Sequence, residues 1–405
     1  MFYKKDICKT LFDSTLFLAI VVFSFFNPVS LKYNQSTLLI YNMIQALKLM
    51  LITTILILYF YKRAFSPFFV FALIYCFFSI ITSVISGVVN ESLFTNNLLI
   101  IGFVCFFELS VLENFKRFFS VAFHVTSILT LVNFVLCIAQ PNGLVSFATL
   151  YTNNAMNPLY FLAVDNGMFK ALAPSVFFSM YYIYSNRHKG FCIKTVYAFL
   201  VILVSFATLV IVSSASSLVS FVVLLIIIIF YSGIAKTRCH IKIIFFVFFI
   251  LFFSIVIRGE NSALSFAISK ITNRSTTFSG RTFLWSSAID IIKGSPIIGY
   301  GNTGSSIPIW GGLFSSHNMF LEIIMSGGFV LLFAFLMLTF FAASKLYRKS
   351  IIVSIIVFAF IIAYWVDGLM EVGVHFFYFG LLAFACSKNK SAKSNVISAN
   401  VVICL

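Results

Sequence analysis

Charge is what this sequence has least of. Its 405 residues contain 11 Asp and Glu against 27 Lys and Arg, and all charged residues together make up 9%. An average soluble domain carries about 25%. With 61% hydrophobic residues and a mean hydropathy of +1.08, the chain cannot be an ordinary soluble globule. It reads as an all-α polytopic membrane protein.

Other absences narrow the reading. There are eight Cys, but no CxxC, and none lies in the longest polar stretch. A disulfide framework or a zinc site is not expected. No P-loop pattern occurs. No A-x-A cleavage site follows the apolar run Leu16 to Phe26, so this is expected to be an uncleaved first span. No internal repeat or low-complexity segment is visible. The net charge of +16 does not imply nucleic acid, because the basic residues are dispersed in short clusters between apolar segments. Fifty-four Phe are read as lipid-facing bulk.

What is present is a series of apolar runs near 15–30, 38–61, 67–86, 97–112, 117–139, 167–185, 193–212, 215–234, 243–257, 319–342, 351–366 and 374–386. These predict about twelve transmembrane helices. Continuous runs without alternation exclude a barrel. Basic clusters fall at Lys4/Lys5/Lys9, Lys62/Arg63, Lys116/Arg117, Arg187/Lys189/Lys194, Lys236/Arg238/Lys242, Lys345/Arg348/Lys349 and Lys388/Lys390/Lys393. Placing both termini in the cytoplasm puts every cluster inside. The expected organisation is one membrane domain over 1–405. A large outer loop covers 258–318, between the ninth and tenth helices, and a second covers 140–166. The polar turn around Ser213–Ser217 predicts a tight hairpin. Three charges fall within spans, Lys48, Glu108 and Lys170, and a Lys48–Glu108 pair is one expectation.

The 258–318 stretch carries the candidate chemistry. Residues 282–293 predict a short helix with Leu284, Ala288, Ile291 and Ile292 on one face, capped by Ser279 or Thr282. Gly294-Ser295-Pro296 ends it. Arg281 then stands beside unpaired helix N–H groups, an arrangement suited to phosphate. Gly299, Gly301 and Gly304 would let the backbone approach a ligand. His317 precedes the next span and is placed to act as a general base, its tautomer fixed by Glu322 one turn on. Each feature also has a plain reading: a snorkelling Arg, a simple turn, a surface His. A metal site from His317, His375 and a carboxylate is conceivable, but ligand spacing gives it no support.

The block Ser279-Gly280-Arg281-Thr282 with Trp285, then Pro296-Ile297-Ile298-Gly299-Tyr300-Gly301, then His317-Asn318-Met319-Phe320-Leu321-Glu322 with Gly327-Gly328, resembles the O-antigen ligase/polymerase superfamily. The resemblance implies a membrane-embedded, GT-C-like glycosyltransferase in the bacterial inner membrane. Its site would face the periplasm and act on oligosaccharides linked to undecaprenyl pyrophosphate, without metal or other cofactor. Membrane lipids and a chain-length regulator are the further partners implied. Arg281 would hold the pyrophosphate, and His317 would activate the acceptor hydroxyl or orient the donor. Trp285, Gly299, Gly301, Asn318 and Glu322 are candidate substrate contacts. Two cations usual in the family are missing, since Asn166-Gly167 and Ser214-Ala215-Ser216-Ser217 stand at their places. Arg258, Arg274 or Lys170 would have to share that work.

A polymerase joining repeat units is the first reading, and a ligase transferring glycan to lipid A-core the second. A lipid-linked glycan transporter is a third, but the repeats and midplane helix breaks typical of transporters are not visible.

Overall fold

The computed structural model describes residues 7–148, 156–187, 192–234, 239–252, 254, 256, 281–302, 307–309 and 312–387. It is a bundle of helices. In chain order these are α1 (Ile7–Asp13), α2 (Thr15–Phe25), α3 (Leu38–Tyr61), α4 (Pro67–Ile85), α5 (Glu91–Ala139), α6 (Met168–Asn186), α7 (Ile193–Val212), α8 (Ala215–Ile234), α9 (Cys239–Phe252), α10 (Arg281–Gly294), α11 (Met319–Lys345), α12 (Ile351–Gly368) and α13 (Phe376–Cys386). Two small antiparallel hairpins pair β1 (Val145–Ala148) with β2 (Met156–Leu159), and β3 (Ile307–Ile309) with β4 (Gly312–Phe314).

Among the described residues six helices are long and apolar enough to cross a membrane, or seven if the bent pair α1–α2 counts as one span. Among the described residues each apolar run of the sequence overlaps a helix, with one merger. The runs at 97–112 and 117–139 share α5, which kinks at Asn114 (φ −149°, ψ 75°). The Asn114 amide donates to Asp13 Oδ1 at 2.6 Å, so a side chain holds the bend. α7 and α8 form the expected tight hairpin, with Ser213 left-handed (φ 57°).

Chain direction alternates through the bundle, and remote segments are tied together at each end. At one end Ser30 N donates to Phe161 O at 3.2 Å, and Lys170 Nζ to Val372 O at 2.8 Å. At the other, Lys62 pairs with Glu113 at 3.0 Å and Tyr184 OH donates to Ser350 Oγ at 2.7 Å. Lys62, Arg63, Arg187, Lys345, Arg348 and Lys349 belong to helix ends and turns at this second end, and Lys116 and Arg117 lie just past the α5 kink at Asn114.

The phenylalanines are not mainly lipid-facing. Phe103, Phe106, Phe107, Phe118 and Phe123 are among the largest fully buried side chains. Phe107 meets Phe118 edge-on at 5.1 Å, and Phe25 meets Phe103 at 5.0 Å. In a bilayer, apolar side chains gain little from leaving lipid, so helix association relies on van der Waals packing. Large rings with favourable edge-to-face geometry supply that contact.

The expected Lys48–Glu108 pair does not form. Lys48 Nζ donates to Asn27 Oδ1 at 2.8 Å. Glu108 lies toward the other end of the bundle and accepts from Tyr59 OH and Ser66 Oγ, both at 2.5 Å.

The Gly-rich segment, expected to let the backbone approach a ligand, also has a structural task. α11 is broken at Gly327 and Gly328, the latter at φ 64°, ψ −169°. That break frees backbone groups that hydrocarbon cannot satisfy. Tyr300 N donates to Met325 O at 2.7 Å and Gly301 N to Ser326 O at 2.8 Å. In return Phe329 N donates to Pro296 O at 2.8 Å. A Cβ on Gly299 would stand 2.5 Å from Met325 O, so glycine is needed for this backbone clasp.

Candidate functional site

α10 covers Arg281–Gly294 and buries Leu284, Ala288 and Ile292 as expected, with Ile291 half-buried. Ser279, Gly304, Arg258 and Arg274 lie outside the described residues. Trp285 is fully buried and forms part of the apolar core.

Arg281 does not stand open beside its helix terminus. Its Nη2 donates to Glu371 Oε1 at 2.9 Å, and both side chains are largely buried. The other oxygen of Glu371 lies 3.8 Å from His317 Nδ1, too long for a hydrogen bond but close enough for charge attraction. Glu371, in the turn between α12 and α13, therefore brings Arg281 and His317 together. His317 is in the left-handed region (φ 46°), which turns the chain sharply into α11.

Glu322 was the expected partner of His317, but its carboxylate accepts from Ser316 Oγ at 2.9 Å and Ser316 N at 3.3 Å. It fixes the residue before the histidine. Asn318 is the N-cap of α11: its Oδ1 accepts from Phe320 N and Leu321 N, and its amide donates to Leu369 O at 3.0 Å. A cap of this kind contributes about 1 kcal/mol. It also fastens α11 to the end of α12, so the motif's Asn aligns the two elements that carry His317 and Glu371.

Lys170, in the first turn of α6, donates to Val372 O at 2.8 Å and Gly373 O at 3.1 Å. Its ammonium also lies 3.4 Å from Asp367 Oδ2, although neither Asp367 oxygen has a well-aligned hydrogen bond. This lysine clamps the turn that presents Glu371. The sequence reading had it as a spare substrate cation. Ser217 was missed. Its hydroxyl accepts from Phe169 N and donates to Asn166 O, both at 3.1 Å, and so anchors the start of α6. The cluster of serines after Ser213 was its signal.

Asp165 completes the acidic surroundings. Burial pushes its carboxyl above the ordinary range. The Glu371 charge adds to the rise, while the Asn166 N–H, Arg281 and His317 oppose it. Four of the chain's 11 acidic residues, Asp165, Glu322, Asp367 and Glu371, thus gather at this end of the bundle. Among the described residues no group of three His, Cys, Asp or Glu could hold a metal ion.

The arrangement combines a guanidinium suited to phosphate oxygens with an imidazole beside a carboxylate. Its place in the chain is informative. Residues 199–336 match the O-antigen ligase family. The matched region contains Arg281 and His317, and supports the O-antigen ligase/polymerase superfamily without distinguishing its two branches. Members of this family are glycosyltransferase-like enzymes of surface-polysaccharide synthesis. No curated protein matches the chain. Asp165, Lys170, Asp367 and Glu371 all lie outside the matched residues, so much of the positioning apparatus comes from the rest of the chain.

Proposed function

We propose that this protein is an O-antigen polymerase joining undecaprenyl-pyrophosphate-linked repeat units on the periplasmic face of the bacterial inner membrane. The observation that carries the reading is the convergence of Arg281 and His317 on Glu371, at the bundle end opposite the basic clusters. Basic residues favour the cytoplasmic side, so the site faces outward.

In the proposed reaction an acceptor hydroxyl attacks the anomeric carbon of the donor sugar. The bond from that carbon to the pyrophosphate oxygen breaks, and the leaving group departs with the electron pair. Arg281 meets the charge that develops there. His317 takes the hydroxyl proton on Nε2, while Glu371 beside Nδ1 stabilises the imidazolium. Arg281 must then share its guanidinium between Glu371 and the pyrophosphate. Its fork of five N–H donors permits both. Arg258 and Arg274 are proposed as further contacts to the donor.

The ligase reading draws on the description of the matched family as O-antigen ligase. Deleting the gene and resolving the surface glycan on a gel separates the two. A polymerase mutant leaves single repeats on the lipid core. A ligase mutant leaves the core uncapped, with glycan held on the lipid carrier. An unchanged ladder refutes both.

A further inference from the structure

A cavity of about 340 Å³ lies beside the candidate site, between α4, α5, α11 and the turn leading into α13. Tyr75, Asn97, Asn302, Glu322, Ser326 and His375 are among its lining residues. Glu322 links it to the site: the carboxylate that lines the cavity also holds Ser316, the neighbour of His317. Arg281 is not among the residues that line it.

We infer that this cavity binds a neutral sugar ring of the acceptor glycan. This inference rests on the glycosyltransferase reading above. Three features of the lining support it. Glu322 is the lining's one carboxylate and no Lys or Arg accompanies it, so a phosphate or pyrophosphate is repelled. The hydroxyls of Tyr75 and Ser326 have no hydrogen-bond partner among the described residues, and they face a ligand rich in donors and acceptors. Apolar and aromatic surface from Tyr75, Ile100 and Phe376 fits the C–H faces of a pyranose. The volume is at the lower end of the roughly 300–1,000 Å³ of ligand pockets, room for a short saccharide and not a long chain.

Placement selects the acceptor over the donor. The donor's sugar is bonded directly to the pyrophosphate and stays next to Arg281. Glu322 and Ser326 follow His317 along α11 and both line the cavity, so an acceptor seated there would present its hydroxyl toward the imidazole.

The test uses full-length protein in lipid nanodiscs and two probes. One is the repeat-unit oligosaccharide released by mild acid from the producing strain's own surface glycan; the other is inorganic pyrophosphate. Tyr75→Phe deletes only a hydroxyl, and Ser326→Leu fills part of the cavity. Both should weaken saccharide binding, Tyr75→Phe by about 2- to 10-fold, the worth of one net hydrogen bond. Both should leave pyrophosphate binding unchanged, and Arg281→Ala should do the reverse. The inference is overturned if the saccharide fails to bind wild type, if both cavity variants bind it normally, or if Arg281→Ala weakens it as much as they do. The last result would mean a donor sugar. A normal surface glycan after gene deletion would instead refute the glycosyltransferase reading, whatever the saccharide does.

Discussion

Glu371 Oε1 accepts from Arg281 Nη2 at 2.9 Å across 90 residues of sequence, and its other oxygen faces His317. Substituting Glu371 therefore removes one group that positions two others. Glu371→Gln keeps the shape and loses the charge. The surface-glycan ladder should fall at least tenfold, while the protein still inserts at near-normal levels by immunoblot. A normal ladder from Glu371→Gln would show that Arg281 and His317 do not need this carboxylate.

For Arg281 and His317 themselves, the choice of substitution matters. Arg281→Ala should abolish the ladder. Arg281→Lys should rescue it poorly, because an ammonium cannot reproduce the guanidinium fork. At His317 the left-handed backbone makes alanine a poor control, since alanine visits that conformation less readily than His or Asn. Asn tolerates that conformation, so His317→Asn removes the imidazole with the turn kept. A His317→Asn variant that still makes a full ladder would rule out the imidazole as base.

How much of this was legible in the sequence depended on whether the signal was local. The helices were, because long apolar runs declare themselves. So was the apolar face of α10, with Leu284, Ala288 and Ile292 at helical spacing. The purpose of the Gly-rich segment was not. Nothing near Gly299 says that its neighbour in space is the break at Gly327-Gly328 in α11. The partner of His317 was misjudged for the same reason: Glu322 is one turn away in sequence, but Glu371 is the one that faces the ring. In a chain with 11 acidic residues, those at the outer ends of apolar runs are costly enough to have a task.

Gly328→Ala tests the clasp apart from chemistry. A Cβ there would overlap the Ile297 carbonyl, and φ 64°, ψ −169° belongs essentially to glycine. The variant should accumulate poorly and melt several degrees lower in detergent. Phe283→Ala, an exposed site on α10, is the control and should change melting little. Equal melting of Gly328→Ala and wild type would mean that α11 does not need its break.

Asp165 predicts a pH dependence. Burial raises its folded pKa above the unfolded value, so it contributes stability that is present below the unfolded pKa and lost as pH rises through the folded one. Wild type should therefore melt higher on mild acidification from neutral. Asp165→Asn removes the titration and retains an oxygen for the Asn166 N–H. It should melt above wild type at neutral pH, with the gap closing as pH falls. A gap that is constant with pH would remove Asp165 as its source.

Lys170 and Asp367 set the last prediction, because the lysine's contacts suggest a clamp and its charge suggests a ligand contact. Asp367 is fully buried, and Lys170 is the cation beside it. Lys170→Met leaves that carboxylate without its nearest counter-charge, a loss of about 3–5 kcal/mol for a broken buried pair. Lys170→Met/Asp367→Asn removes the uncompensated charge as well. If Lys170 is a clamp, the double variant should recover much of the lost melting temperature. The recovery should be incomplete, because the hydrogen bonds to Val372 O and Gly373 O remain absent. The glycan ladder should recover in parallel with stability. A double variant that is stable but makes no ladder would show that the Lys170 charge contacts the substrate, as the sequence alone suggested.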